Sequence, residues 1–328
     1  MLFMSDKIKK IGVLTSGGDA PGMNAAIRAV VRTAINHGVE VIGIKKGYDG
    51  LINGEFKELK TRDVSEIIGR GGTILHTARC EEMHTEEGVK KAAMVYDVLG
   101  LDALIVIGGD GSMRGAKALS DLGVNVIGIP GTIDLDMNCT EYTIGFDTAV
   151  NTGAEAISRL RDTSSSHQRC SVIEVMGRHA PYIAYWCAMV SGAEEVLVPD
   201  RTDETGKNEV IQQVLENRSL GKFHNLIIVA EGVGGSQQLA KDIEDVTGIE
   251  TRATILGHLQ RGGSPTAIDR MHASIMGNMA VEEAVKGNKN RIIVFNKGRY
   301  EALDMNEALD MPPKDDGGLY DVIKVLSR

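Results

Sequence analysis

Two carboxylates stand close together in the stretch Gly128-Ile-Pro-Gly-Thr-Ile-Asp-Leu-Asp136. They follow the apolar run Val124–Ile129, which reads as a buried strand. Pro130 and Gly131 end that strand, since proline cannot donate to a ladder and glycine permits a sharp turn. No Lys or Arg lies between Arg114 and Arg159 to neutralise Asp134 and Asp136 locally. A paired-carboxylate turn at the carboxyl end of a buried strand is where open α/β sheets place their chemistry. An Asp turn that satisfies only backbone amides would have the same local sequence.

Three further groups bear on that choice. Ser16-Gly-Gly-Asp-Ala-Pro-Gly-Met-Asn24 follows a strand and opens a helix. Adjacent glycines let backbone amides point at an anion, and a helix N-terminus favours negative charge. Gly17 and Gly22 have the separation of a P-loop, but Met23 and Asn24 stand where its Lys and Ser/Thr belong, so Walker chemistry is excluded. Gly108-Gly-Asp-Gly-Ser112 also follows a buried strand and turns it into a helix. Arg114 replaces the third glycine of the dinucleotide fingerprint, which argues against a nicotinamide enzyme. Asp110 there sits where a carboxylate could hold Mg²⁺ while amides hold phosphate. The third group is basic: Arg169, Arg178, Arg252 and Arg261, each read as at or just after a strand, with His258 three residues before Arg261. Arginine suits phosphate through its planar fork. Glu231, after the strand Leu226–Ala230, could accept a hydroxyl. Each feature has a plainer reading: a tight turn, a surface arginine, a packed histidine, a solvated glutamate.

The elements that must position these groups alternate. Strands are expected at Ile11–Leu14, Val39–Ile44, Ala103–Ile107, Val124–Ile129, Ser171–Met176, Glu195–Val198, Leu226–Ala230, Ala253–Leu256 and Arg291–Phe295. Helices are expected at Met23–Asn36, Thr85–Val98, Thr148–Arg161, Tyr182–Val190, Asn208–Asn217, Gln237–Thr247, Thr266–Val285 and Tyr320–Leu326. The polar run Asp162–Arg169 ends the helix Thr148–Arg161. Alternation at this spacing means parallel βαβ units with right-handed crossovers. A domain change is expected near Gly145.

The bulk numbers fit. A chain of 328 residues suggests two domains or one large α/β unit. Apolar content of 42% and charged content of 25% are those of a soluble globular protein. The 39 glycines suit many strand-to-helix turns. A net charge of -9 argues against nonspecific nucleic-acid binding. Cys80, Cys139, Cys170 and Cys187 form no C-x-x-C pair and read as reduced thiols in a cytoplasmic protein. The apolar patch Met1–Met4 is too short for a signal peptide, and no run approaches membrane length.

Taken together, the motifs Leu14–Asn24, Gly108–Ser112, Pro130-Gly-Thr-Ile-Asp134, Ser165-Ser-His-Gln-Arg169, Val175-Met-Gly-Arg178 and Leu256-Gly-His-Leu-Gln-Arg-Gly-Gly-Ser264 resemble the bacterial ATP-dependent 6-phosphofructokinase family. The match runs in order to about Gly277. The tail after Asn296 matches poorly. The resemblance implies two similar three-layer αβα domains with mostly parallel sheets and an active site in the cleft between them. An ATP-binding domain would take residues 1–145 and about 259–309, and a sugar-phosphate domain 146–258 and about 310–328. The implied reaction moves the γ-phosphoryl of MgATP to the 1-hydroxyl of fructose 6-phosphate in glycolysis. Asp134 would be the base in a substrate-binding loop, with Thr132 and Ile133 flanking it there, Thr132 and Gly18 beside the reacting groups and Asp110 the Mg²⁺ ligand. Gly18, Arg79, Cys80, Gly109, Asp110, Gly111 and Ser112 fall at ATP positions. Arg169, Met176, Gly177, Arg178, Glu231, Arg252, His258, Leu259, Gln260 and Arg261 fall at sugar-phosphate positions. Arg79 and Arg178 would stabilise the transferring charge. Arg169 and Arg252 match the arginines that the family takes from a neighbouring subunit, which implies a homotetramer.

The family also binds ADP or phosphoenolpyruvate as an effector. Arg28, Arg32, Arg161, Glu194, Lys222 and His224 match those positions, while Thr61 and Leu220 replace two basic ones, so a weakened or altered response is expected. Leu135 stands where the family turn has Asn, and Pro181 stands near where it usually has Gly. In pyrophosphate-using relatives the positions of Gly111 and Gly131 are Asp and Lys, so two glycines favour ATP on steric grounds. A pyrophosphate-dependent enzyme and a weakly active regulatory paralogue are the alternatives.

Overall fold

The computed structural model describes residues 8–199, 204–315 and 318–327; the Met1–Met4 patch lies outside them. The chain divides into two units. The first is Met1–Asp147 with Arg261–Pro313, and the second is Thr148–Gln260 with Lys314–Arg328.

The first unit runs β1 (Lys10–Ser16), α1 (Met23–Asn36), β2 (Glu40–Ile44), α2 (Gly47–Asn53), β3 (Phe56–Glu58), α3 (Glu86–Val98), β4 (Ala103–Gly108), α4 (Asp110–Asp121) and β5 (Val126–Pro130). Helix α5 (Phe146–His167) carries the chain into the second unit: β6 (Cys170–Val175), α6 (Tyr182–Ser191), β7 (Glu195–Leu197), α7 (Glu204–Ser219), β8 (Asn225–Ala230), α8 (Ser236–Thr247) and β9 (Thr251–Ile255). The first unit then resumes with α9 (Ala267–Val285), β10 (Arg291–Asn296), β11 (Arg299–Asp304) and α10 (Met305–Leu309), and α11 (Leu319–Leu326) belongs to the second.

The first unit holds a seven-stranded sheet in the order β11-β10-β5-β4-β1-β2-β3. Strand β4, Ala-Leu-Ile-Val-Ile-Gly, is buried along its whole length, as a strand covered on both faces must be. The chain leaves β1 toward β2 on one side, while β4 and β5 lie on the other, so the direction of winding reverses beside β1. Ligands of open α/β sheets bind outside the carboxyl ends of strands at such a reversal. The second unit holds a four-stranded sheet, β7-β8-β6-β9, with every pairing parallel.

Four elements escaped the sequence reading: α2, the three-residue β3, β11 and α10. Strands β3 and β11 are the antiparallel edges of the seven-stranded sheet, so it is mostly rather than wholly parallel. Exposed edge strands carry little apolar signal; β3 is exposed throughout. Helix α5 also runs on to His167, past the Arg161 end that the polar run suggested. That run stays helical because its side chains bond back one turn: Ser166 Oγ donates to the Asp162 carbonyl at 2.7 Å, and His167 Nδ1 lies 3.0 Å from the Thr163 carbonyl. Pro181 caps α6, its carbonyl accepting from Tyr185 N at 2.9 Å, a position where a missing N–H costs nothing.

A polar and aromatic cluster sits under β10 and β11. His272 of α9 stacks on Tyr142 at 3.8 Å between centroids, meets Phe295 edge-on at 4.7 Å, and lies 2.9 Å from Tyr300 Oη. Burial holds the His272 imidazole below its ordinary value of 6.5. The unfolded chain then takes up this proton more readily than the folded one, so the contribution of His272 to stability is full above that pH and is lost as pH falls below it. The thermal midpoint is expected to drop between about pH 7.5 and 5.5, with a shallower drop in His272→Leu; identical slopes in calorimetry would contradict this assignment.

Candidate active site

Pairing registers set the site in the first unit. Ser16 of β1 faces Gly108 of β4, and Gly108 faces Pro130 of β5. Three glycine turns therefore leave three adjacent parallel strands at one level. Gly131 N donates to the Gly108 carbonyl at 2.9 Å, and Gly131 bridges Ile144 as the loop returns. A Cβ on Gly109 would stand 3.3 Å from Thr132 Cβ, so the second and third turns are in contact.

The paired-carboxylate turn is folded inward. Ile133 is fully buried and Asp134 is 5% exposed. Thr132 Oγ1 accepts from Asp134 N at 3.2 Å and donates toward Asp134 Oδ2 at 3.4 Å, which fixes the carboxylate against its own turn. Leu135 is buried with φ 54°. Only glycine and, less freely, Asn or Asp adopt that left-handed backbone at low cost, so Leu carries local strain at the position where the family turn has Asn.

Gly17 and Gly22 of the first turn have φ of 84° and 108°. Arg261 Nη1 donates to the Asp19 carbonyl of that turn at 3.1 Å, so this arginine lies against the phosphate-type loop. Asp110 opens α4, and Arg114 Nε reaches its Oδ2 at 2.8 Å one turn on. The Asp110 carboxylate raises the Arg114 guanidinium above its ordinary value. Ser112 is buried and Gly111 exposed.

Asn24, read from sequence only as the loss of a Walker hydroxyl, has a task of its own. Its amide donates to the Arg70 and Gly71 carbonyls at 3.1 and 3.2 Å and accepts from Ile74 N at 2.8 Å. Thr77 Oγ1 donates to the Gly17 carbonyl at 2.8 Å. These bonds bring the segment bearing Arg79 and Cys80 to the first turn. Arg79 is exposed. The Cys80 thiol is pushed above its ordinary value, first by burial. All four cysteines are free, and burial pushes Cys170 and Cys187 up to about 12, which removes them as nucleophiles at neutral pH.

The second unit repeats the register. Val175 of β6 faces Ala230 of β8, and Glu174 faces Ile255 of β9. The turns beginning at Met176, Glu231 and Leu256 therefore open side by side. Glu231 Oε1 accepts from Arg178 N at 2.6 Å and Gly177 N at 3.3 Å, holding Arg178 in a left-handed turn with φ 56°. Gln260, fully buried, accepts from Met176 N at 2.8 Å and donates to the Ala149 carbonyl at 3.1 Å. It positions this loop instead of facing a ligand. The Arg178 and His258 side chains and Leu259 are exposed.

Arg169 and Arg252 do not join them. Instead of following their strands, Arg169 precedes β6 and Arg252 is the second residue of β9. They pair with Glu250, each at 2.6 Å. A rise of about 3.3 Å per residue puts Arg169 about 20 Å and Arg252 about 10 Å from the carboxyl ends of their strands. The effector candidates are also split. Arg28 and Arg32 lie on α1 of the first unit. In the second, Lys222 Nζ meets the buried Glu194 at 2.7 Å, and Arg161 donates to the Ser191 and Gly192 carbonyls. His224 precedes β8, while Leu220 is 84% exposed.

Residues 10–284 match the family model described as phosphofructokinase. A protein of Clostridium botulinum (strain Hall) named ATP-dependent 6-phosphofructokinase is 54% identical over 321 residues, 98% of this chain and 100% of its own length. One of Clostridium perfringens (strain 13), named ATP-dependent 6-phosphofructokinase 1, is 55% identical over the same shares. Among solved structures, phosphofructokinase of Pichia pastoris in the T-state superposes with a TM-score of 0.88 at 33% identity, covering 98% of this chain and 37% of that one. A pyrophosphate-dependent phosphofructokinase from Marinobacter aquaeolei shares the fold, with a TM-score of 0.81 at 20% identity over 97% of this chain and 91% of that one.

Gly111 and Gly131 differ in surroundings. A Cβ on Gly111 would meet nothing within 4 Å, whereas one on Gly131 would press on Ile107 Cγ2 at 3.0 Å and Met23 Cε at 3.4 Å. Gly111→Asp is expected to change stability by less than about 0.5 kcal/mol and Gly131→Lys to cost about 1–3 kcal/mol. Urea midpoints check both, and equal shifts would contradict the packing described.

Proposed function

The chain belongs to the phosphofructokinase family, and from that membership we propose that it transfers the γ-phosphoryl of ATP to the 1-hydroxyl of fructose 6-phosphate, giving fructose 1,6-bisphosphate and ADP. The observation that carries this reading is the alignment of Ser16, Gly108 and Pro130 across adjacent strands, which sets two anion-type turns beside the turn bearing a buried carboxylate. Phosphate and base are thereby supplied from one rigid edge.

In this reading Asp134 accepts the proton of the 1-hydroxyl, and Thr132 and Ile133 hold its turn. Backbone N–H groups at Gly18 and from Gly109 to Ser112 bind ATP phosphates, helped by the positive end of α4. Arg79, Cys80 and Gly111 border the nucleotide. Arg79 and Arg178 neutralise the transferring phosphoryl, whose charge spreads over its oxygens with little covalent work left for the protein. Arg178, Glu231, His258, Leu259 and the Met176–Gly177 backbone receive the sugar phosphate, and Arg261 sits at the ATP loop.

Mg²⁺ fits the residues present. No group of three or more ligating side chains occurs among the described residues, and Mg²⁺ is commonly held by one or two carboxylates plus substrate phosphates. Asp110 is the carboxylate that would hold it, releasing Arg114, and the ion would neutralise phosphate charge.

Arg169 and Arg252 adjoin the amino ends of β6 and β9, away from the turns that open at the carboxyl ends, and in this reading they serve the sugar phosphate of another copy. That supports a homotetramer in which neighbours exchange these arginines. Arg28, Arg32, Arg161, Glu194, Lys222 and His224 form the effector set, for ADP or phosphoenolpyruvate, with a response weakened by Thr61 and Leu220. No helix among the described residues is long and apolar enough to cross a membrane, and we assign the enzyme to the cytoplasm with its sugar phosphates. A pyrophosphate donor is disfavoured because Gly111 and Gly131 stand where those relatives carry Asp and Lys.

A coupled assay supplying fructose 6-phosphate with ATP or with pyrophosphate tests the reading: turnover is expected with ATP, and turnover with pyrophosphate alone would overturn it. Asp134→Ser is expected to lower kcat at least ~10²-fold; a near-normal rate would remove Asp134 from the base role.

A further inference from the structure

The catalytic turn belongs to a loop, residues 131–145, whose return leg makes contacts that the chemistry above does not use. At its end Gly145 N donates to Asp269 Oδ1 at 2.6 Å. Tyr142 Oη donates to the same oxygen at 2.5 Å. Asp269 is fully buried in the first turn of α9. Thr266 caps that helix, its Oγ1 accepting from Asp269 N at 3.2 Å, so the carboxylate stands on a fixed helix end.

Gly145 is also where the loop meets the phosphate-type turn. Its φ is 105°, and a Cβ there would lie 2.7 Å from Ala20 Cβ, 3.3 Å from Pro21 Cδ and 3.2 Å from Ile133 Cγ2. The residue before it, Ile144, bridges Gly131. Moving Gly145 therefore moves Ile133, the neighbour of Asp134, relative to Ala20 and Pro21. Far along the same loop, Thr140 exchanges bonds with Phe295: its Oγ1 accepts from Phe295 N at 2.9 Å, and Asn296 Nδ2 donates to the Cys139 carbonyl at 2.8 Å. The loop is thus tied to α9 at one point and to β10 at another.

We infer that Asp269 is a positioning residue for phosphoryl transfer: by holding Gly145 and Tyr142 on one carboxylate oxygen, it fixes the distance between the base-bearing turn and the ATP loop. Asp269 touches neither substrate. Its effect is on the alignment of Asp134 with bound phosphate, and misplacement by an ångström costs up to about 10²-fold in rate. Met176, Gly177, Arg178, Glu231 and His258, which receive the sugar phosphate in this reading, belong to the other unit, so a loosened loop lowers kcat more than it changes the KM for fructose 6-phosphate. This inference rests on the phosphofructokinase reading.

The test compares Asp269→Ala, Asp269→Asn and Gly145→Ala with wild type in the ATP-coupled assay, each variant checked by circular dichroism and thermal melting. Wild-type turnover tests the underlying reading, and the variant-to-wild-type ratio tests the positioning role. Asp269→Ala is expected to lower kcat at least ~10-fold with KM for fructose 6-phosphate within about 3-fold. Asp269→Asn keeps an acceptor oxygen and is expected to recover several-fold over Ala. Gly145→Ala, which forces the loop off Ala20, is expected to lose kcat as Asp269→Ala does. A folded Asp269→Ala with kcat within about twofold of wild type would overturn the inference, as would an Asn variant no better than Ala. If Asp269→Ala does not fold, Gly145→Ala decides: unchanged kcat overturns the role, and lost kcat with preserved KM supports it.

Discussion

The structure depends on one constraint, the register that brings Ser16, Gly108 and Pro130 level across β1, β4 and β5. A slip of one residue in either pairing would move a glycine turn by about 3.3 Å and turn its side chains to the other face. Thr132 and Asp134 would then no longer sit beside Gly109, and the anion-type turns would no longer share an edge. The register is held by burial on both faces: β4 is buried throughout and β5 likewise. In such strands every side chain has a neighbour to fit, so the core and the site are specified by the same contacts.

The second unit uses the same device for a different load. There the level ends of β6, β8 and β9 present Met176, Glu231 and Leu256. Its loops are tied by buried or half-buried polar side chains, Gln260 to Met176 and Glu231 to Gly177 and Arg178. Non-glycine residues in left-handed backbone occur on both units where chemistry is expected, Leu135 on one and Arg178 on the other. Strain of this kind survives only where surrounding bonds over-determine the turn, and the Glu231 carboxylate and the Thr132 hydroxyl are the groups that do so.

Much of this was legible in the sequence. Strand and helix alternation named the α/β class, and the turns after β1, β4 and β5 were found because Gly and Asp clusters following apolar runs have few other uses. What escaped had physical reasons. The last turn and a half of α5 looked like a loop because Ser, Thr and His favour loops unless their side chains bond back to the helix. Arg169 and Arg252 adjoin the amino ends of β6 and β9, and only the carboxyl ends of a parallel sheet open toward its ligand turns. Asn24 looked like a missing hydroxyl; its bonds to residues 70, 71 and 74 cannot be read from local spacing. Asp269 and Tyr142, separated by 127 positions, carry no motif at all. Leu135 was noticed, but its significance required the backbone angle.

The central claim is that the three level turns of the first unit form one edge, two of them holding ATP phosphate beside the turn that carries the base. Hydrogen–deuterium exchange with Mg²⁺ and a non-hydrolysable ATP analogue tests it most directly. Protection is predicted in peptides covering residues 16–22, 108–112 and 131–136 together, and pyrophosphate alone should not reproduce it. Protection confined to one of these turns, or lying elsewhere in the chain, would contradict the account.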